Sequence, residues 1–122
     1  MSFYKITTEL TDSEQTTRIL VEIDSVKVTM TAGDASIVDE RLREAMMAPP
    51  GDEDGVMLDD GGCLSFQHTS RGVKVFFQRS PADAKGRQVY RFADVINFAA
   101  AIRNACEKTQ EHLDSLDEAD FI

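Results

Sequence analysis

A chain of 122 residues carrying a formal charge of −9 and 42% hydrophobic residues is long enough for one domain with a real core, because a domain of this size buries roughly two thirds of its unfolded surface. Its two cysteines, Cys63 and Cys106, lie far apart at no metal-binding or redox spacing, which excludes a disulfide scaffold and points to reduced thiols in a reducing compartment. No apolar run approaches the roughly 18 residues of a membrane span, and the start Met1-Ser2-Phe3-Tyr4-Lys5 lacks the apolar stretch of a secretion signal, so a cytoplasmic protein is expected.

Residues 3 to 10 alternate Tyr4, Ile6, Thr8 and Leu10 with polar side chains, the period of a half-buried strand. From Arg18 to Thr31 the apolar phase of Ile19, Val21 and Ile23 slips by one to Val26, Val28 and Met30, which requires a bulge or a tight turn at Asp24-Ser25. Ser36 followed by Asp39 reads as a capping box opening a short helix, with Val38, Leu42, Ala45 and Met46 turned inward and Pro49-Pro50-Gly51 stopping it. The acidic, glycine-rich stretch 51 to 62 reads as loop around a brief strand at Val56 to Leu58. Its Asp52 and Asp54 are followed by Val56 at the third ligand position, so it is not a calcium loop.

Residues 63 to 69 and 73 to 79 form the clearest hairpin, with Leu64, Phe66, Val75 and Phe77 on its inner face. A loop from Ser80 to Arg87 and a short strand from Gln88 to Phe92 follow. From Ala93 the apolar set Val95, Ala99, Ile102, Cys106, Thr109, Leu113 and Leu116 takes the helical period. Ala99-Ala100-Ala101 gives that helix a small-residue patch able to lie close against a sheet or a second helix. Acids crowd its end, where they oppose the helix dipole, so the helix is expected to fray near Leu116 and leave residues 117 to 122 as a mobile acidic tail. The sum is a single α+β domain over residues 1 to 116: an antiparallel curved sheet with hairpins, one short helix and one long C-terminal amphipathic helix. Whether the N-terminal strands join the same sheet is left open.

Nucleophilic catalysis needs a base, and the two imidazoles, His68 and His112, sit in no recognisable motif. Five residues apart on one strand, Cys63 and His68 face opposite ways and make no dyad. With no phosphate loop, metal-ligand cluster or serine elbow, the expectation is a binding module without cofactor or metal rather than an enzyme.

Charge is segregated. Residues 71 to 91 hold Arg71, Lys74, Arg79, Lys85, Arg87 and Arg91 against the single acid Asp83, a local +5 that leaves −14 on the remainder. Hairpin alternation puts Lys74, Phe76 and Gln78 opposite the core face together with Ser65 and Gln67, an arrangement suited to stacking a nucleobase on Phe76 while cations meet phosphates.

The strand, hairpin, strand and long helix over residues 56 to 116 resemble the β-β-β-β-α unit of the positive cofactor four coactivator family, which bind single-stranded DNA. The resemblance implies a homodimer packed through its helices, with Lys74, Phe76, Arg79, Lys85 and Arg87 as ridge residues; an OB-like barrel is an equally admissible container for these strands. The end of the chain, with Asp117, Glu118, Asp120, Phe121 and Ile122, resembles the acidic, apolar-tipped tails with which bacterial and phage single-stranded-DNA-binding proteins dock partners.

Two functions follow as expectations. The first is a sequence-tolerant single-stranded nucleic-acid binder using Arg71, Lys74, Phe76, Arg79, Lys85, Arg87 and Arg91. The second is a small acidic interaction protein, of the kind of a phage inhibitor, an immunity protein or a chaperone. It would hold a basic protein partner through the 51 to 60 loop and the tail, with no membrane involved in either reading.

Overall fold

The computed structural model describes residues 3–78 and 88–119, the side chains of 117–119 aside. Strands β1 (Tyr4–Glu9), β2 (Arg18–Ile23) and β3 (Val26–Met30) form an antiparallel meander, followed by helix α1 (Ala32–Met47). A second antiparallel meander of β4 (Asp54–Met57), β5 (Cys63–Thr69), β6 (Gly72–Gln78) and β7 (Val89–Tyr90) leads into helix α2 (Phe92–Ala119). The chain is thus α+β, with two sheets of antiparallel strands, one shorter helix and one long C-terminal helix, and the N-terminal strands make a sheet of their own.

The phase slip in the first sheet is a tight turn. Ile23 pairs with Val26, and between them Asp24 and Ser25 sit at φ 49° and 72°. Two successive left-handed residues match the two-residue type I′ turn, whose twist suits the flanking strands. Ile19, Val21, Ile23, Val28 and Met30 consequently all reach the same core.

Helix α1 begins earlier than the Ser36 reading placed it. The chain leaves β3 at Met30, and Thr31 becomes the N-cap: its hydroxyl accepts from the Asp34 N–H at 3.0 Å, while the Asp34 carboxylate accepts from the Thr31 N–H at 3.1 Å. This reciprocal pair satisfies two N–H groups that the first turn cannot. Gly33 and Asp34 are therefore inside the first turn, and Ser36 and Asp39 lie beyond it. Asp34 also accepts from the Asp59 N–H at 3.2 Å, tying the helix start to the β4–β5 connection.

Both helices pack against each other and against the sheets, α1 touching β2 to β5 and α2 touching β1, β2 and β6. One continuous core results, including Phe66, Phe98, Leu42, Leu64 and Ile102, each fully buried. Phe98 lies off the helical stripe read from the sequence, yet it anchors an aromatic cluster with Phe3 and Tyr4. Phe3 in turn stacks on Tyr90 at 3.9 Å, and the Tyr90 hydroxyl donates to Asp24, so the last strand of the second sheet is clasped by the first. Tyr90 also stands where a side chain at residue 72 would be: Gly72 adopts φ 151°, and a Cβ there would come within 2.1 Å of the Tyr90 carbonyl oxygen. Only glycine admits that close approach.

At the other end α2 stays helical through Ala119, past the expected break at Leu116, and it starts at Phe92, which the sequence reading gave to the preceding strand. No helix among the described residues is long and apolar enough to cross a membrane.

Candidate functional site

The hairpin β5–β6 delivers the alternation expected of it. Ser65 pairs with Phe76 and Gln67 with Lys74, on the face away from Leu64, Phe66, Val73 and Val75. Lys74 and Phe76 are both half-buried, and Lys74 is flanked on its other side by Val89 of β7. Ser65 is buried behind them, its hydroxyl 3.6 Å from the Cys63 sulfur. Arg71 stands exposed in the hairpin turn, and Arg91 stands exposed between β7 and α2. Arg79, Lys85 and Arg87 lie outside the described residues, as do Asp120, Phe121 and Ile122; Asp117 and Glu118 belong to the last turn of the α2 backbone.

The acidic loop spends part of its charge on its own conformation. Asp54 accepts from the Gly55 N–H at 2.8 Å, and Asp60 accepts from the Thr29 hydroxyl at 3.3 Å and the Gly62 N–H at 3.4 Å. Asp52, Glu53, Asp54, Asp59 and Asp60 are all exposed. No group of three His, Cys, Asp or Glu side chains is placed to hold a metal among the described residues.

The histidines and cysteines are occupied in holding the fold. His68 Nδ1 meets the Ala48 carbonyl oxygen at 2.8 Å, and His112 Nε2 meets that of Thr11 at 2.6 Å. Cys63 faces Ser65, on the side of the sheet away from His68. The Cys106 thiol donates to the Ala32 carbonyl at 3.3 Å. Burial, with the carboxylates of Asp39 and Glu107 nearby, pushes the pKa of that thiol up, so it gives up its proton less readily than an ordinary cysteine.

A scan against protein-family models and searches of curated proteins and of solved structures find no match for this chain.

A groove of about 470 Å³ runs between the C-terminal half of α1 and the N-terminal half of α2. Its floor is Met46 and Ala99, and its rim is Met47, Phe92 and Ile96, which are 87%, 40% and 48% exposed. At the far end Asp39, buried beneath the helices, holds Arg43 at 3.0 Å and Arg103 at 3.5 Å, while its Oδ1 has no hydrogen-bond partner. The near end adjoins the acidic loop: the His68 ring lies 5.6 Å from Phe92, and the His68 carbonyl accepts from the Gly51 N–H at 3.1 Å, just before Asp52 and Glu53.

Sequence reasoning missed this groove because it assigned each helix one apolar stripe. The signal was present as a surplus. Phe92 and Ile96 sit one turn apart, off the stripe of Val95, Ala99 and Ile102, and Met47 follows the inward Met46 directly. Apolar residues outside a helix's core-facing arc either meet a second layer or form a surface patch. Here they form the patch.

Proposed function

We propose that this chain is a non-catalytic protein-binding module that holds a partner in the α1–α2 groove. The observation that carries the reading is Met47: a methionine 87% exposed beside Phe92 and Ile96, over a concave apolar floor. Exposed methionine and aromatic side chains around a groove suit a binding surface, since the thioether adapts to different contours. The fitting occupant is an apolar segment with Lys or Arg at its flank. Its apolar side chains would cover the rim, and its cations would meet Asp52 and Glu53 and the carbonyl end of α1, whose last turn holds no basic residue. The overall charge of −9 would draw such a partner in over longer range.

A second reading keeps single-stranded nucleic acid on the β5–β6 face, and the adjacent rungs of Lys74 and Phe76 favour it. Titrating labelled oligo-dT at low and then higher salt separates the two. A nucleic-acid site gives binding that weakens steeply with salt and is lost in Lys74→Glu. The protein-binding reading gives no such binding. It instead predicts a protein from source cells that is retained by the wild type and by Lys74→Glu, and lost with Ile96→Asp or Met47→Asp at unchanged circular dichroism.

A further inference from the structure

Open strand edges are templates for another strand, and folds blunt them when they are not used. Among the described residues, three of the four sheet edges are blunted. The Arg41 guanidinium donates to the Gly55 carbonyl of β4 at 2.9 Å, β3 abuts the Asp60 turn through Thr29, and β7 is two residues long. The fourth edge, β1, is six residues long and borders a hollow of about 510 Å³ between itself and α2, walled by Ile6, Thr8, Ala101, Asn104, Ala105 and Lys108. Alanine at two of those helix positions leaves space where larger side chains would cover the edge.

We propose that β1 pairs antiparallel with β1 of a second copy about a twofold axis through Thr7, joining two three-stranded sheets into one. Charge fixes the register. On the outward face Lys27 lies across from Glu22 and Glu22 across from Lys5, while Glu9 lies across from Arg18. Centred on Thr7, the pairing sets Lys5 opposite Glu9 of the partner copy. The row then reads Lys27, Glu22, Lys5, then Glu9 and Arg18 of the partner copy, strictly alternating in sign, and the twofold repeats it. Directly opposed residues must share a face, so the neighbouring registers centre on Ile6 or Thr8. Those oppose Lys5 or Glu9 to a threonine and break the alternation. The same register continues the inward face from Val21 and Ile6 to Thr8 and Ile19 of the partner copy, and it sets Tyr4 against Leu10, which is 37% exposed in one copy.

Sedimentation of the purified chain over a concentration series, with no other partner present, tests this separately from the groove. The wild type is expected to dimerise. Lys5→Glu alone and Glu9→Lys alone each place like charges opposite one another twice per dimer, and should weaken self-association roughly tenfold or more. An equal mixture of the two variants restores both opposite-charge pairs and should dimerise like the wild type. Because charge reversal also touches Glu22 or Arg18 within the sheet, Thr7→Cys provides a second readout: opposed Cα atoms about 4.5–5.5 Å apart across the axis should yield a disulfide-linked dimer under mild oxidation, in a Cys63→Ser, Cys106→Ser background. A monomeric wild type, or a dimer indifferent to the single variants and uncrosslinked at Thr7→Cys, overturns the proposal.

Discussion

Cys106 shows how a single side chain registers its surroundings. Its thiol is displaced upward from 9.0 by burial first, then by Asp39 and Glu107. The folded chain therefore keeps that proton to higher pH than the unfolded chain does. The sign follows from linkage: the contribution to stability is full below 9.0 and is lost as pH rises from there to the folded value. Urea midpoints measured across that range should fall more steeply for the wild type than for Cys106→Ala, and parallel curves would remove the assignment. A second residue-scale prediction concerns Ser25, held at φ 72° in a turn that glycine enters without steric cost. Ser25→Gly should raise stability by about 0.5–1 kcal/mol, read as a higher urea midpoint at unchanged slope.

At the scale of elements, the start of α1 holds two structures at once. Thr31 caps the helix, whereas Asp34 both completes the capping box and accepts from Asp59 across the β4–β5 connection. Thr31→Ala removes one cap and should cost about 1 kcal/mol. Asp34→Ala leaves two N–H groups without their acceptor and should cost about 2–3 kcal/mol. Denaturant titrations of the two variants test the order, and a Thr31→Ala loss equal to or larger than that of Asp34→Ala contradicts the linking role. The same element shows what the sequence could and could not display. Ser36 with Asp39 has the spacing of a capping box, as Thr31 with Asp34 does, and periodicity does not choose between them. The choice lies with the end of β3, because once Met30 is buried in the sheet the next residue must turn into the helix. By contrast, the one-residue slip around Asp24-Ser25 and the alternation of the β5–β6 hairpin were legible, since period-two patterns assign faces locally.

For the whole molecule, two meander-and-helix halves share one core and present three kinds of surface: an outward sheet face with Lys74 and Phe76, an open edge at β1, and the apolar groove between α1 and α2. The first was visible in the sequence, because strand alternation alone places its residues. The groove was not, because it exists only where the end of α1 meets the start of α2. That meeting is a tertiary contact between residues about 45 positions apart, Met47 and Phe92, and no local pattern encodes it. The groove and the hollow beside β1 share helix α2, with Asn104 lining both, but the rim residues Met47, Phe92 and Ile96 are not among those that wall the hollow. The most direct measurement is co-purification from source cells with tagged wild type, Ile96→Asp and Lys74→Glu, each checked for unchanged circular dichroism. The account predicts a protein retained by the wild type and by Lys74→Glu at similar yield and lost with Ile96→Asp; capture indifferent to Ile96→Asp, or lost only with Lys74→Glu, would contradict it.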